Sequence, residues 1–294
     1  MTALLFLIAL TTLSSSPLFV KWSEASIEFL GFWRLTIAGL LFFLFVSFKR
    51  GPRSLLSGPL KSWLWPALSG LFFFLHLWTY VAAAKTTSVA HLMILFATNP
   101  IFTVAGAAFF FQEKLRKRVV VAYPLAFLGL WILVGEKVSY APDSRFGDIM
   151  AVLSAVLHSG YLLCSKKARV RFDNFSFSIA LYWTAGLLFG ALALLRGVPL
   201  ESTTFPAWGA VAGLILFPTF LGHALMTQLV NKMDLSVLSC GKLLEPGIST
   251  VMAYFLFGET ISLRTLAAFA LTGTSVLILF WPRRWSPGAG RSAV

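Results

Sequence analysis

Residues 245–262 read EPGISTVMAYFLFGETIS, and residues 99–115 read NPIFTVAGAAFFFQEKL. Each is an apolar stretch that opens with a proline and closes near a glutamate. Pro100 lies thirteen residues before Glu113, and Pro246 lies thirteen before Glu259. The agreement extends outward. Glu113 and Glu259 each stand five residues before an arginine, Arg118 and Arg264, while His76 and His223 each stand nine before a lysine, Lys85 and Lys232. The offset between the two sets is 146 or 147 throughout. Independent spacings that agree mark a duplication, with residues 1–140 as the first unit and 141–294 as the second.

The composition says where the two units live. Of 294 residues 58% are hydrophobic and 12% charged, against roughly 25% charged in a soluble domain. Apolar stretches of about 20 residues, enough to cross a ~30 Å hydrocarbon core as helix, recur near 2–20, 29–48, 63–84, 88–111, 119–136, 147–165, 177–195, 207–230, 236–257 and 263–281. Alternating ten-residue strands are missing, so the spans are expected to be helices that close their own backbone hydrogen bonds. Each unit then holds five spans. An odd number forces the second unit to insert upside down, so the expected fold is an all-α membrane protein of ten transmembrane helices in two inverted five-helix repeats. That architecture is frequent among secondary transporters, with the substrate held near the midplane between the repeats.

The net charge of +13 raises nucleic acid as a partner, but the cations sit in short loops and not along one soluble face. Sixteen Lys and Arg fall in the loops after even-numbered spans and in the C-terminal tail, and six in the loops after odd-numbered spans. The positive-inside rule then places both termini in the cytoplasm of a multi-pass plasma-membrane protein, read as the bacterial inner membrane. The first span lacks a basic leader and a convincing cleavage site, so it is read as a retained helix. Cys164 and Cys240 fall inside spans and offer neither a disulfide framework nor a zinc spacing. With no HExxH or comparable pattern, no metal and no cofactor are expected.

The chain resembles the EamA-type transporters of the drug/metabolite transporter superfamily. The resemblance rests on FWRLTIAGLL at 32–41, on the paired Pro-to-Glu segments, and on the glycine-centred spans FLGLWILV at 127–134 and LTGTSVLILF at 271–280. It covers almost the whole chain. It implies metabolite transport, with spans 1–4 and 6–9 rocking about a central site and spans 5 and 10 as peripheral supports. The second half, FSIALYWTAGLLFG at 177–190, has no clear counterpart of Arg34.

Ionisable groups within hydrocarbon cost ~2.5–3.5 kcal/mol each on insertion scales and so face a cavity or a partner. Lys242 and Glu245 lie three apart on one face of a helix, next to Pro246, which frees a backbone carbonyl one turn back. Two readings stand for them: a substrate or proton site at a helix break, or an ion pair that only locks the bundle. The first half carries Phe96 and Asn99 at the equivalent positions. Arg34 reads as an anion contact, as a counter-ion to Glu245, or as a side chain snorkelling to the headgroups. His76, His91, His158 and His223 all lie in spans, where imidazole relays protons or packs with a hydrogen bond. Tyr80 shares a face with His76, and Tyr161 with His158. Trp183 offers a surface for stacking. Glu113 and Glu259 read as residues that cap or orient helix ends. Glycines such as Gly39, Gly129, Gly186 and Gly273 read as sites of close helix contact.

The candidate substrate-binding set is therefore Arg34, His76, Tyr80, His91, Asn99, His158, Tyr161, Trp183, His223, Lys242 and Glu245. The expected function is a secondary transporter, a monomer or homodimer in the lipid bilayer. It would export or exchange a small polar metabolite such as an amino acid or derivative, with proton coupling through Glu245 and with Lys242 and Arg34 holding a substrate carboxylate. An intramembrane enzyme is the alternative, but paired acids, a nucleophile motif and a metal motif are missing. A passive channel would call for rings of like groups.

Overall fold

In a computed structural model of the protein, residues 2–51, 60–87, 89–113, 117–134, 144–202, 204–257 and 263–280 are described. Among the described residues there are helices and turns and no strand. Six helical stretches have the length and hydropathy to cross a membrane: Thr2–Trp22, Ile27–Lys49, Leu64–Thr86, Arg145–Ala168, Asn174–Arg196 and Phe205–Leu229. The chain is a multi-pass helical membrane protein.

The other expected spans are shorter or divided. Residues 88–111 form α5 (Val89–Phe96) and α6 (Asn99–Phe111), and residues 236–257 form α12 (Leu235–Gly241), a 3-10 turn at Lys242–Leu244 and α13 (Glu245–Phe257). The two interruptions precede Pro100 and Pro246, which cannot donate to the carbonyls of Phe96 and Lys242 four residues back. The Lys242 carbonyl takes the Glu245 amide instead, which tightens the turn. The remaining spans comprise α1 (Thr2–Leu13) with α2 (Ser16–Trp22), α3 (Ile27–Arg50), α4 (Leu64–Thr86), α7 (Lys117–Val134), α8 (Ser144–Ala168), α9 (Asn174–Arg196), α10 (Phe205–Leu214) with α11 (Ala224–Leu229), and α14 (Leu263–Phe280).

Between α10 and α11 the chain makes a π-helical stretch at Ile215–His223 around Pro218. Pro218 strips the amide that would bond Leu214, and the hydroxyl of Thr219 supplies the missing donor at 2.7 Å. Caps hold other ends. Ser26 accepts from the Phe29 amide at the start of α3, Asp173 accepts from the amides of Phe175 and Ser176 at the start of α9, and Gly197 closes α9 with φ 63°.

Numbering the ten expected spans in order, the helices of span 2 pack on those of span 7 (α3 on α9), 5 on 10 (α7 on α14), 4 on 9 (α6 on α12), 3 on 6 (α4 on α8) and 1 on 8 (α1 on 215–223). Exchanging every span with the one five places away leaves this set of pairs unchanged. The close approaches follow the same exchange. A Cβ on Gly39 would stand 2.4 Å from Trp183, and one on Gly186 would stand 2.9 Å from Thr36, and both partners are related by the offset of 147. Large apolar side chains such as Phe48, Phe109, Leu194 and Phe255 point outward, as a surface solvated by acyl chains requires.

Glycine roles divide. A Cβ on Gly129 would lie 2.9 Å from the Ala268 carbonyl oxygen across the α7–α14 seam, whereas one on Gly273 meets nothing within 4 Å. Among the described residues the expected close contact at Gly273 is therefore not made. Gly129→Ala must push the two helices apart and is expected to destabilise by about 1–3 kcal/mol, while Gly273→Ala is expected to leave stability unchanged. Thermal unfolding of the two purified variants in detergent checks the contrast.

Candidate functional site

Three histidines from three helices meet inside the bundle. The His76 ring of α4 lies 4.7 Å from the His158 ring of α8 and 6.4 Å from the His223 ring of the π-helical stretch, centroid to centroid. Aromatic rings surround them. Phe96 stacks on His76 at 5.5 Å, Phe73 meets His223 edge-on at 4.7 Å, and Tyr161 lies 5.4 Å from His158. Tyr80, one turn from His76, lies 5.9 Å from it. All of these side chains are buried.

The helix breaks bring charge to this cluster. Lys242 Nζ lies 3.0 Å from His158 Nε2, 3.4 Å from Glu245 Oε1 and 5.2 Å from the centre of the Phe96 ring. The Glu245 contact is an ion pair without hydrogen-bond geometry. Asn99 donates from Nδ2 to the Ala155 carbonyl at 2.9 Å and to Ser159 Oγ at 2.8 Å, with His158 Nδ1 at 3.2 Å. Repeat-related residues thus meet: Phe96 with Lys242, His76 with His223. Asn99, Glu245 and both prolines line one cavity of about 10 Å³ together with Ser239, room for about one water.

The tautomer of His76 follows from its partners. Ser154 Oγ donates to the His76 carbonyl at 3.1 Å, and His76 Nδ1 lies 2.8 Å from that hydroxyl and 3.2 Å from the Ser154 carbonyl. A carbonyl only accepts, so Nδ1 carries a proton.

Arg34 is buried and does not snorkel: its Nε donates to Thr219 Oγ1 at 2.7 Å. Tyr182 donates to the Thr219 carbonyl at 3.2 Å, which ties the guanidinium to the turn that carries His223. Glu245 takes Lys242, not Arg34, as its ion-pair partner. Among the described residues Arg34 Nη2 and Ser239 Oγ are buried without a hydrogen-bond partner, the condition of groups that a polar ligand or water would satisfy.

Of the expected set, His76, Tyr80, Asn99, His158, Tyr161, His223, Lys242 and Glu245 converge, and Arg34 joins them through Thr219. Trp183 does not. It packs in the α3–α9 seam against Gly39 and Phe43, 5.2 Å from the latter ring, because the small Gly39 opposite it opens a slot there. His91 falls in α5 with its side chain outside the described residues, and Glu259 lies outside them as well. Sequence reasoning missed Ser154, Ser159, Thr103 and Thr219. Ser154, Thr103 and Thr219 each lie four residues from a candidate, at His158, Asn99 and His223, so helical spacing was a usable signal.

Beyond the spans, Arg169 donates to the carbonyls of Thr227 and Phe172. Burial lowers its pKa, and the Asp173 carboxylate acts in the opposite sense.

The sequence matches the EamA-like transporter family twice, over residues 1–135 and 145–281. The chain belongs to that family. A protein of Archaeoglobus fulgidus named "Uncharacterized transporter" is 26% identical over 208 residues, 71% of this chain and 73% of its own length. Another of the same name, from Clostridium kluyveri, is 23% identical over 190 residues, 63% of this chain and 61% of its own length. A solved structure, "Crystal structure of protein", superposes with a TM-score of 0.77 over 95% of this chain and 96% of that one at 21% identity, which speaks to the fold alone.

Ser154→Ala is expected to leave His76 Nδ1–H with a single long bond and to cost about 1–3 kcal/mol. A lowered unfolding temperature relative to the wild type, with unchanged helicity by circular dichroism, is the readout.

Proposed function

We propose that the chain is a ten-span carrier of two inverted repeats, bounded near residue 140, that moves a small polar metabolite with a carboxylate, such as an amino acid or derivative, by alternating access. The observation that carries this reading is the convergence of Lys242, Glu245, Asn99 and three histidines at the point where both proline-broken helices meet. The span pairing that survives exchange of the halves supports the repeat: span 2 with 7, 5 with 10, 4 with 9, and the pair 3 with 6 answering the pair 1 with 8. The broken helices support a midplane site. The asymmetry between Phe96/Asn99 and Lys242/Glu245 suits a substrate with unlike ends. Lys242 and the open Nη2 of Arg34 are assigned to the substrate carboxylate. Glu245 is assigned to orienting the substrate or carrying a coupled proton, with His158 as its nearest proton partner through Lys242. The cation bias of the loops supports cytoplasmic termini in a bacterial inner membrane, with export or exchange as the direction.

Single removal of Lys242 leaves a buried carboxylate uncompensated, at a cost of about 3–5 kcal/mol, so a single variant confuses folding with function. The double variant Lys242→Met/Glu245→Gln removes both charges. It is expected to stay folded and to lose at least about tenfold in transport, about 1.4 kcal/mol of transition-state stabilisation. Counterflow of labelled amino acids in proteoliposomes is the assay, because only a carrier shows acceleration by substrate on the far side. Wild-type counterflow by a double variant of equal yield would make the pair a structural lock and defeat the assignment.

A further inference from the structure

The turn that ends α8 carries more positive charge than its surroundings neutralise. Residues 166–171 read KKARVR. Lys166 is paired with Glu113, and Arg169 is held by the carbonyls of Thr227 and Phe172 with the Asp173 carboxylate near it. Lys167 and Arg171 are exposed, and among the described residues neither side chain has a carboxylate or any other acceptor as partner. Both line one cavity of about 280 Å³ between the ends of α8 and α4, together with Ser62, Trp65, Val170 and Phe172. The walls of this cavity are fixed. The amides of Arg171 and Phe172 both return to the Ala168 carbonyl, at 3.0 and 3.1 Å. Phe172 meets Trp63 edge-on at 4.7 Å, and deeper in the same seam Ser69 of α4 bonds Ser165 of α8 at 2.9 Å.

One wall is cationic and the other apolar. Trp65 and Val170 are exposed, as is Leu64 beside them, and an indole at the end of a span belongs to the boundary between headgroups and acyl chains. The equivalent corner of the other half is different. The positions offset by 146 from Lys167 and Arg171 are Lys21 and Ala25. There Trp22 packs onto α10: a Cβ on Gly209 would stand 2.8 Å from its ring, and it meets Phe205 edge-on at 6.2 Å. Membrane topology accounts for cations on one side of the bilayer. It does not account for two of them left unpaired around a cavity between two helices.

We propose that this cavity holds the phosphate of an anionic phospholipid, with Lys167 and Arg171 on the phosphate oxygens and the acyl chains running outward past Trp65 and Val170. Basic pockets between membrane helices take such headgroups, and cations near the surface draw anionic lipid to them. Arg171 offers a planar fork of donors to the phosphate and Lys167 a mobile point charge. A soluble phosphate would meet the same two cations but would leave the apolar wall unused. A phospholipid uses both, and its own chains keep it beside the cavity. Bound there, it joins the end of α4 to the end of α8, one helix from each half. The cavity shares no residue with the histidine cluster, so the lipid binds independently of what the central site carries.

The test titrates the purified protein, in a non-ionic detergent, with dioctanoyl phosphatidylglycerol and counts bound lipid by native mass spectrometry. Dioctanoyl phosphatidylcholine supplies the same chains without net charge, and glycerol 3-phosphate supplies the phosphate without chains. One phosphatidylglycerol per chain is expected to bind at a concentration about tenfold or more below that needed for phosphatidylcholine, and to raise the unfolding temperature by mass action. The variant Lys167→Gln/Arg171→Gln is expected to lose this preference. Both positions are exposed, so the variant is expected to fold as the wild type does. The control Lys117→Gln/Lys232→Gln removes the same charge from exposed positions in other loops and is expected to keep the preference. An unchanged preference in the cavity variant overturns the proposal. Equal loss in both double variants also overturns it, since diffuse surface charge then does the work. Stabilisation by glycerol 3-phosphate equal to that by phosphatidylglycerol would give the cavity to a soluble anion and overturn the lipid assignment.

Discussion

The interaction on which the structure depends is one that two prolines remove. In hydrocarbon a backbone carbonyl has no water to turn to, and Pro100 and Pro246 each take the amide away from a carbonyl one turn back. The chain answers by breaking both helices at equivalent places. The residues that lose their helical bond, Phe96 and Lys242, then face one another, with the lysine ammonium 5.2 Å from the ring centre. His76, His158, Asn99 and Glu245 gather around that meeting point.

Burial there has to be met group by group, since an unpaired polar atom in such a place costs about 1–3 kcal/mol. Most members are met. His76 is held by Ser154, Asn99 by Ala155 and Ser159, and Arg34 by Thr219. Pro218 and Pro246 each free a carbonyl, of Leu214 and Lys242, which takes another donor, the Thr219 hydroxyl in one case and the Glu245 amide in the other. What is left without a hydrogen bond at the site, among the described residues, is Arg34 Nη2, Tyr161 Oη, Ser239 Oγ and Glu245 Oε1, the last held only by its ion pair with Lys242. On the reading proposed above, the repeated residues build the frame and the unlike residues address the ligand.

The sequence by itself determined much of this protein: a helical, multi-pass membrane chain, its duplication, and the short list of ionisable residues within the spans. Hydrocarbon imposes those features locally, since span length, loop charge and the cost of each buried charge are readable without knowing neighbours. Pro246 even marked its helix break in advance. Only the tertiary structure decided which candidates share a site. It drew His76, His158 and His223 together from three helices and sent Trp183 into a seam with Gly39. It turned Arg34 from the headgroups to Thr219, and it gave Ser154, Ser159 and Thr219 their roles as partners. The reason is physical. A helix face can be read from spacing, but which other face it meets depends on the packing of distant segments, and a serine becomes part of a site only when a histidine from elsewhere in the chain arrives beside it.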